Sequence, residues 1–208
     1  QALRFMNKTF MGASAFNNGF PAGSVGTATI SNTLDWNMPN LNNLIESFIN
    51  ASAFNSYINN WTVENVTSMR YMFSGATSFN QPLDNWNVGS VEEMQYMFER
   101  ATSFNQPIGN WDVTSVARFD VMFYGASSFD QDISCWCVPN DPQRNNFSNA
   151  SPINAKPNFI PRWNLPCSPI LTMTDSLSLA GDDTLIGPGE SITFTASFDR
   201  DIASTVSY

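Results

Sequence analysis

The chain has 208 residues, 42% of them hydrophobic, and carries a net charge of −9 with no histidine. That length allows one or two domains, and the apolar fraction is ample for a core. The acidic balance excludes a phosphate-neutralising nucleic-acid surface and docking on anionic lipid by charge alone, and no run of about 20 apolar residues is present to span a bilayer.

In chain order, Gln1 stands almost inside a repeat, which reads as a mature fragment or as part of a longer chain, with further domains of the same parent chain expected. Phe10, Ala13 and Phe16 open a pattern that Leu34, Trp36 and Met38 resume. Between them, 18–33 is a loop insertion rich in Gly, Ala, Ser and Thr. From Ser47 to Val138 the pattern runs without a gap at a period of 25 residues. The block from Met72 reads MFSGATSFNQPLDNWNVGSVEEMQY, and the block from Met97 reads MFERATSFNQPIGNWDVTSVARFDV. Phe48, Phe73, Phe98 and Phe123 share one position. Phe54, Phe79, Phe104 and Phe129 share another, and Trp61, Trp86, Trp111 and Trp136 a third. No block buries its apolar side alone, so the blocks stack as a solenoid.

Two spacings divide each block. Val66, Met69, Met72, Phe73 and Ala76 fit one face of a helix, closed by Gly75 or Gly125 at positive φ. Leu83, Trp86 and Val88 end in the alternation of a strand. The expected fold is therefore an α/β repeat solenoid, leucine-rich-repeat-like, with one short strand and one helix per 25-residue repeat. Tryptophan in phase with valine belongs to the core. Asn55, Asn80, Asn105 and Asp130, with Gln81, Gln106 and Gln131, read as a hydrogen-bonding corner ladder rather than a glycan- or metal-binding row.

The outward strand positions are Asn60, Thr62 and Glu64; Asn85, Asn87 and Gly89; and Asn110, Asp112 and Thr114. They form parallel polar columns suited to a protein loop or a glycan, without catalysis. The acidic pair Glu92 and Glu93 falls on the solvent side of the expected helix. No nucleophile elbow, phosphate loop or metal cluster is present, so the chain reads as no enzyme. Composition and repeat spacing explain most of the six Asn-x-Ser/Thr sequons, at Asn7, Asn50, Asn60, Asn65, Asn146 and Asn149, which matter only in a host that glycosylates.

The ladder breaks after Val138, and 139–168 reads as a cap over the last layer, with 1–138 as the solenoid. Of the three cysteines, Cys135 and Cys137 both face outward, and either is placed to bond Cys167. A disulfide implies an oxidising, extracytoplasmic compartment. From 169 to 208 the composition shifts to Thr, Ser and Asp. Residues 191–198 alternate strictly, which reads as the start of a truncated all-β Ig-like segment. Asp182 and Asp183 are a weak calcium candidate in a turn, and turn chemistry is the plainer reading. No other cofactor is expected.

The repeats M-F-x-x-A-x-S-F-N-Q-x-I/L-x-x-W-x-V-x-x-V-x-x-M resemble those of BspA-like leucine-rich-repeat surface proteins, including the related Mycoplasma lipoprotein-type repeats. Trp136-Cys137-Val138 followed by Trp163 and Cys167 resembles the close of such arrays, and implies a Cys137–Cys167 bond with Cys135 as the departure. The tail is similar to bacterial Ig-like domains. The resemblance implies a secreted or cell-surface binding and adhesion module, whose partner is a protein or glycan on another cell or surface. The alternative is a spacer, stalk or filament subunit of a surface assembly.

Overall fold

The computed structural model describes residues 6–15, 40–140, 142–164, 193–196 and 204–207. It divides into two compact units, Gln1–Pro166 and Cys167–Tyr208. In the first unit β1 (Cys137–Val138) pairs in parallel with β2 (Arg162–Trp163), and a 3-10 helix spans Pro152–Ala155. In the second, β3 (Thr193–Ala196) pairs antiparallel with β4 (Ser204–Ser207).

The expected α/β solenoid is overturned. Among the described residues no α-helix occurs, and the segments Leu83–Val88 and Ile108–Val113 are not strands. Each 25-residue block is instead a chain of tight turns. The inward residues that lie three apart close them: Val66 N–H donates to Val63 O at 2.9 Å, Met72 to Met69 at 3.1 Å, Ala76 to Phe73 at 3.0 Å and Trp86 to Leu83 at 3.1 Å. A spacing of three suits a helix face and equally suits the two ends of a four-residue turn.

What excludes the helix is the destination of every second N–H. Met69, Tyr71, Phe73 and Gly75 donate to the carbonyls of Glu93, Gln95, Met97 and Glu99, one block further on, at 2.7–3.0 Å. Met94, Tyr96, Phe98 and Arg100 repeat this toward Arg118, Asp120, Met122 and Tyr124. Upstream, Met6, Lys8, Phe10 and Gly12 do the same toward Asn43, Ile45, Ser47 and Ile49. Each of these segments therefore alternates a peptide unit lying along the stack with one closing a turn inside the block. The laddered units all point the same way, so their dipoles add, as peptide dipoles do along a helix.

The alternation demands positive φ at two places per block. Tyr71 and Gly75, Tyr96 and Arg100, Val121 and Gly125, and Asn146 and Ala150 all sit there, at 52–71°. Glycine occupies the region without strain, whereas other residues cost about 1–2 kcal/mol each. The expected role of Gly75 and Gly125 was to end a helix; their positive φ instead closes a turn. At Gly75 a side chain would also run into the Asn50 carboxamide of the preceding block.

The core runs the length of the stack. Phe48, Phe73, Phe98 and Phe123 are fully buried and stack on one another at centroid distances of 5.6–5.7 Å. Each also stacks on the second Phe of its own block at about 4 Å. The column tryptophans Trp61, Trp86, Trp111 and Trp136 are buried as expected, with Trp61 against Trp86 and Trp111 against Trp136. Their indole N–H groups reach back to the preceding block: Trp86 to Ile58 O at 3.0 Å, Trp111 to Leu83 O at 3.1 Å and Trp136 to Ile108 O at 2.9 Å. Leucine in that slot would leave those buried carbonyls without this partner.

The corner ladder forms as read. Asn55 Oδ1 accepts from Asn80 N–H and Gln81 Nε2, Asn80 Oδ1 from Asn105 N–H and Gln106 Nε2, and Asn105 Oδ1 from Asp130 N–H and Gln131 Nε2. The series ends in a charged pair, Lys156 Nζ on both Asp130 oxygens at 2.6 and 2.7 Å. Beyond Val138 the backbone ladder continues to Gln143, Asn145, Phe147 and Asn149. The ring register changes there: Phe147 stands edge-on to Phe123, and Trp163 edge-on to Phe147.

Candidate functional site

The columns expected to recognise a partner emerge on turns and the irregular backbone between them, not on a sheet. Asn60, Thr62, Glu64, Asn85, Asn87, Asn110 and Asp112 are exposed and Thr114 is half-exposed. Asn60, Thr62, Glu64, Asn85 and Asn87, with Asn59, rim a shallow depression of about 360 Å³ floored by Trp61 and Val63. Asn110, Asp112 and Thr114 continue the columns outside it. Part of their polarity is spent locally. Asn87 Oδ1 accepts from Gly89 N–H at 3.2 Å, and Asp112 Oδ1 accepts from Thr114 N–H and Oγ1 at 3.1 and 2.7 Å. Asn110 Nδ2 donates to Asp84 O across blocks.

A second depression, about 330 Å³, opens on the laddered edge among Arg70, Tyr71, Gln95, Tyr96, Arg118 and Asp120. No expectation from the sequence covers these residues. The available signal was the polar column Arg70, Gln95, Asp120 and Asn145, which follows the core column Met69, Met94, Phe119 by one residue. Asp120 is held by its Oδ1, which accepts from Asn145 N–H at 3.0 Å and Nδ2 at 2.7 Å. Among the described residues, Gln95 Oε1, Asp120 Oδ2 and Arg70 Nε have no hydrogen-bond partner within the protein. An orphaned buried polar atom costs about 1–3 kcal/mol.

Tyr71 and Tyr96 stack at 4.3 Å on the same edge, with the Arg70 guanidinium 5.6 Å from the Tyr71 ring centre. Burial, and next the neighbouring Tyr96, raise the Tyr71 phenol above the usual tyrosine value. Glu93 and Glu99 accept from Ser68 and Ser74 of the previous block, each at 3.0 Å. Glu92 and Glu93 lie on no helix; Glu93 forms parallel bridges to Ser68 and Arg118 of the neighbouring blocks.

Cys137 is disulfide-bonded and Cys135 is a free, exposed thiol. Cys167, Asp182 and Asp183 lie outside the described residues. Among the described residues no group of three or more His, Cys, Asp or Glu is placed to hold a metal ion. No helix among them is long and apolar enough to cross a membrane.

The architecture defines a class: a stack of turn-built repeats with an aromatic interior and polar outer faces. Over residues 20–136, more than half of the chain, it matches the family described as Mycoplasma protein of unknown function, DUF285, and the chain belongs to that family. No curated protein and no solved structure matches it.

Proposed function

We propose that the chain is a non-catalytic recognition module of a bacterial cell-surface or secreted protein. It binds a protein or glycan of another surface through the columns of Asn60, Thr62, Glu64, Asn85, Asn87, Asn110, Asp112 and Thr114. The observation that carries this is the depression of about 360 Å³ at the head of those exposed columns. Repeated polar groups at a fixed pitch offer one partner several equivalent hydrogen bonds, as repeat proteins commonly do. The resemblance to BspA-like repeats and the disulfide at Cys137, which belongs to an oxidising compartment, support an extracellular setting. The Ig-like reading of the tail is part of the same proposal and rests on the alternation in residues 191–198.

The test is capture of surface proteins and glycans on an array by the whole chain and by an Asn85→Ala/Asn87→Ala variant. Weaker capture by a variant with unchanged melting supports the assignment. Unchanged capture refutes this face. Ordered end-to-end assembly of the chain without any captured ligand favours the spacer or filament alternative.

A further inference from the structure

We propose that the depression on the laddered edge is a second, separate binding site, and that it takes a neutral sugar by adjacent hydroxyls. Its wall is the column Arg70, Gln95 and Asp120. Gln95 is 2% and Asp120 8% exposed, yet Gln95 Oε1, Asp120 Oδ2 and Arg70 Nε find no partner in the protein. The large majority of buried polar groups find a partner in protein or ordered water; three groups without a protein partner on one wall of one depression make it a place where a ligand's hydroxyls can supply the missing bonds.

The orphan set selects the chemistry. Two acceptors and one donor need groups that both give and take hydrogen bonds, and a hydroxyl does both. One sugar hydroxyl donates to Asp120 Oδ2 while accepting from Arg70 Nε, and its neighbour donates to Gln95 Oε1. A cation is opposed by the guanidiniums of Arg70 and Arg118. A simple anion is opposed by the Asp120 carboxylate and the Gln95 carbonyl oxygen. A peptide added as a strand finds no edge, because Tyr71 N–H and Tyr96 N–H are already spent on Gln95 O and Asp120 O. A peptide anchored by an apolar side chain finds a lining that is polar except for Val121 and the two Tyr rings.

The volume of about 330 Å³ is at the small end of ligand sites, the size for one or two sugar rings. Asp120 is pre-oriented by Asn145 through Oδ1, which leaves Oδ2 for the ligand. Arg70 is half-exposed and forms no ion pair among the described residues, so its Nε is not drawn away from the ligand by a carboxylate.

The experiment uses the whole chain on an immobilised array of neutral, sialylated and sulfated oligosaccharides and of peptides, followed by calorimetric titration of the strongest neutral-sugar hit. Gln95→Met keeps the side-chain volume and removes the carbonyl. Asp120→Asn keeps the Oδ1 acceptor for Asn145 and turns the other position into a donor. Each variant is expected to weaken the hit about tenfold or more with no loss in melting temperature, while Asn85→Ala/Asn87→Ala leaves it unchanged. That last arm separates this site from the face of the proposed function. Retention of charged sugars or peptides only, no neutral sugar bound, or a hit indifferent to both Gln95→Met and Asp120→Asn would overturn the assignment.

Discussion

The laddered edge and the face of the asparagine columns hold the same blocks together by opposite means. Along the edge, four backbone N–H groups per block bond directly to the next block, and side chains ride on that frame. Across the column face from Asn59 to Asn110 the bonds between blocks involve side chains: Asn59 Nδ2 to Asp84 Oδ1 at 2.8 Å, Asn85 N–H to Asn59 Oδ1 at 3.0 Å, and the indole N–H groups to carbonyls. A backbone frame is indifferent to residue type so long as the dihedrals are allowed. A side-chain frame depends on each residue that builds it. The two regions should therefore fail in different ways when mutated.

The sharpest contrast comes from the column side. Trp111→Ala removes a buried ring and the bond to Leu83 O, and is expected to cost about 3–5 kcal/mol in urea denaturation. A loss near zero would mean the Trp column does not hold the blocks. On the edge, the sensitive position is one with no side chain. Gly75→Ala forces a Cβ into positive φ and against Asn50, and is expected to cost about 2 kcal/mol or more. A neutral result would break the claim that backbone conformation governs that side.

Asn59 is 5% exposed and both its amide groups bond to the next block. Asn59→Ala should cost about 1–2 kcal/mol, whereas Ser74→Ala, on the backbone-framed edge, should cost less; thermal melts in parallel would reveal a reversed order. Val121 carries a β-branched side chain at φ 60°, a genuine outlier. Val121→Asn, which copies Asn146 in the next block, should stabilise by about 1 kcal/mol. A fall in melting temperature would show that Val121 packing outweighs its strain.

The smallest effect concerns alkaline pH. The Tyr71 phenol titrates above its unfolded value, so the folded state holds that proton more tightly. This contribution to stability is fully present below the unfolded value and is lost as pH rises through the folded one. Tyr71→Phe should therefore flatten the decline in stability on the alkaline side and leave neutral pH unaffected. An identical alkaline decline in the two proteins would assign it to other groups.

The outer columns were legible because Asn85 and Asn87 flank Trp86, and Asn110 and Asp112 flank Trp111, and each buried ring has its polar neighbours exposed. The second depression was not. Its orphaned groups arise where the side chains at Arg70, Gln95 and Asp120 come into line across blocks, and their packing there follows from the turn conformation that the helix reading missed.

From the chain alone came the 25-residue register, the identity of the buried Phe, Trp and Val columns, and the Asn/Gln corner. Each depends only on equivalent residues meeting at a fixed step. The backbone conformation between those columns was settled by tertiary structure. Inward residues three apart, such as Met69 and Met72, serve a helix and a turn equally well. The choice turns on whether Tyr71 N–H bonds within its own block or to Gln95 O of the next, and a neighbouring block must be in place for the second option to exist.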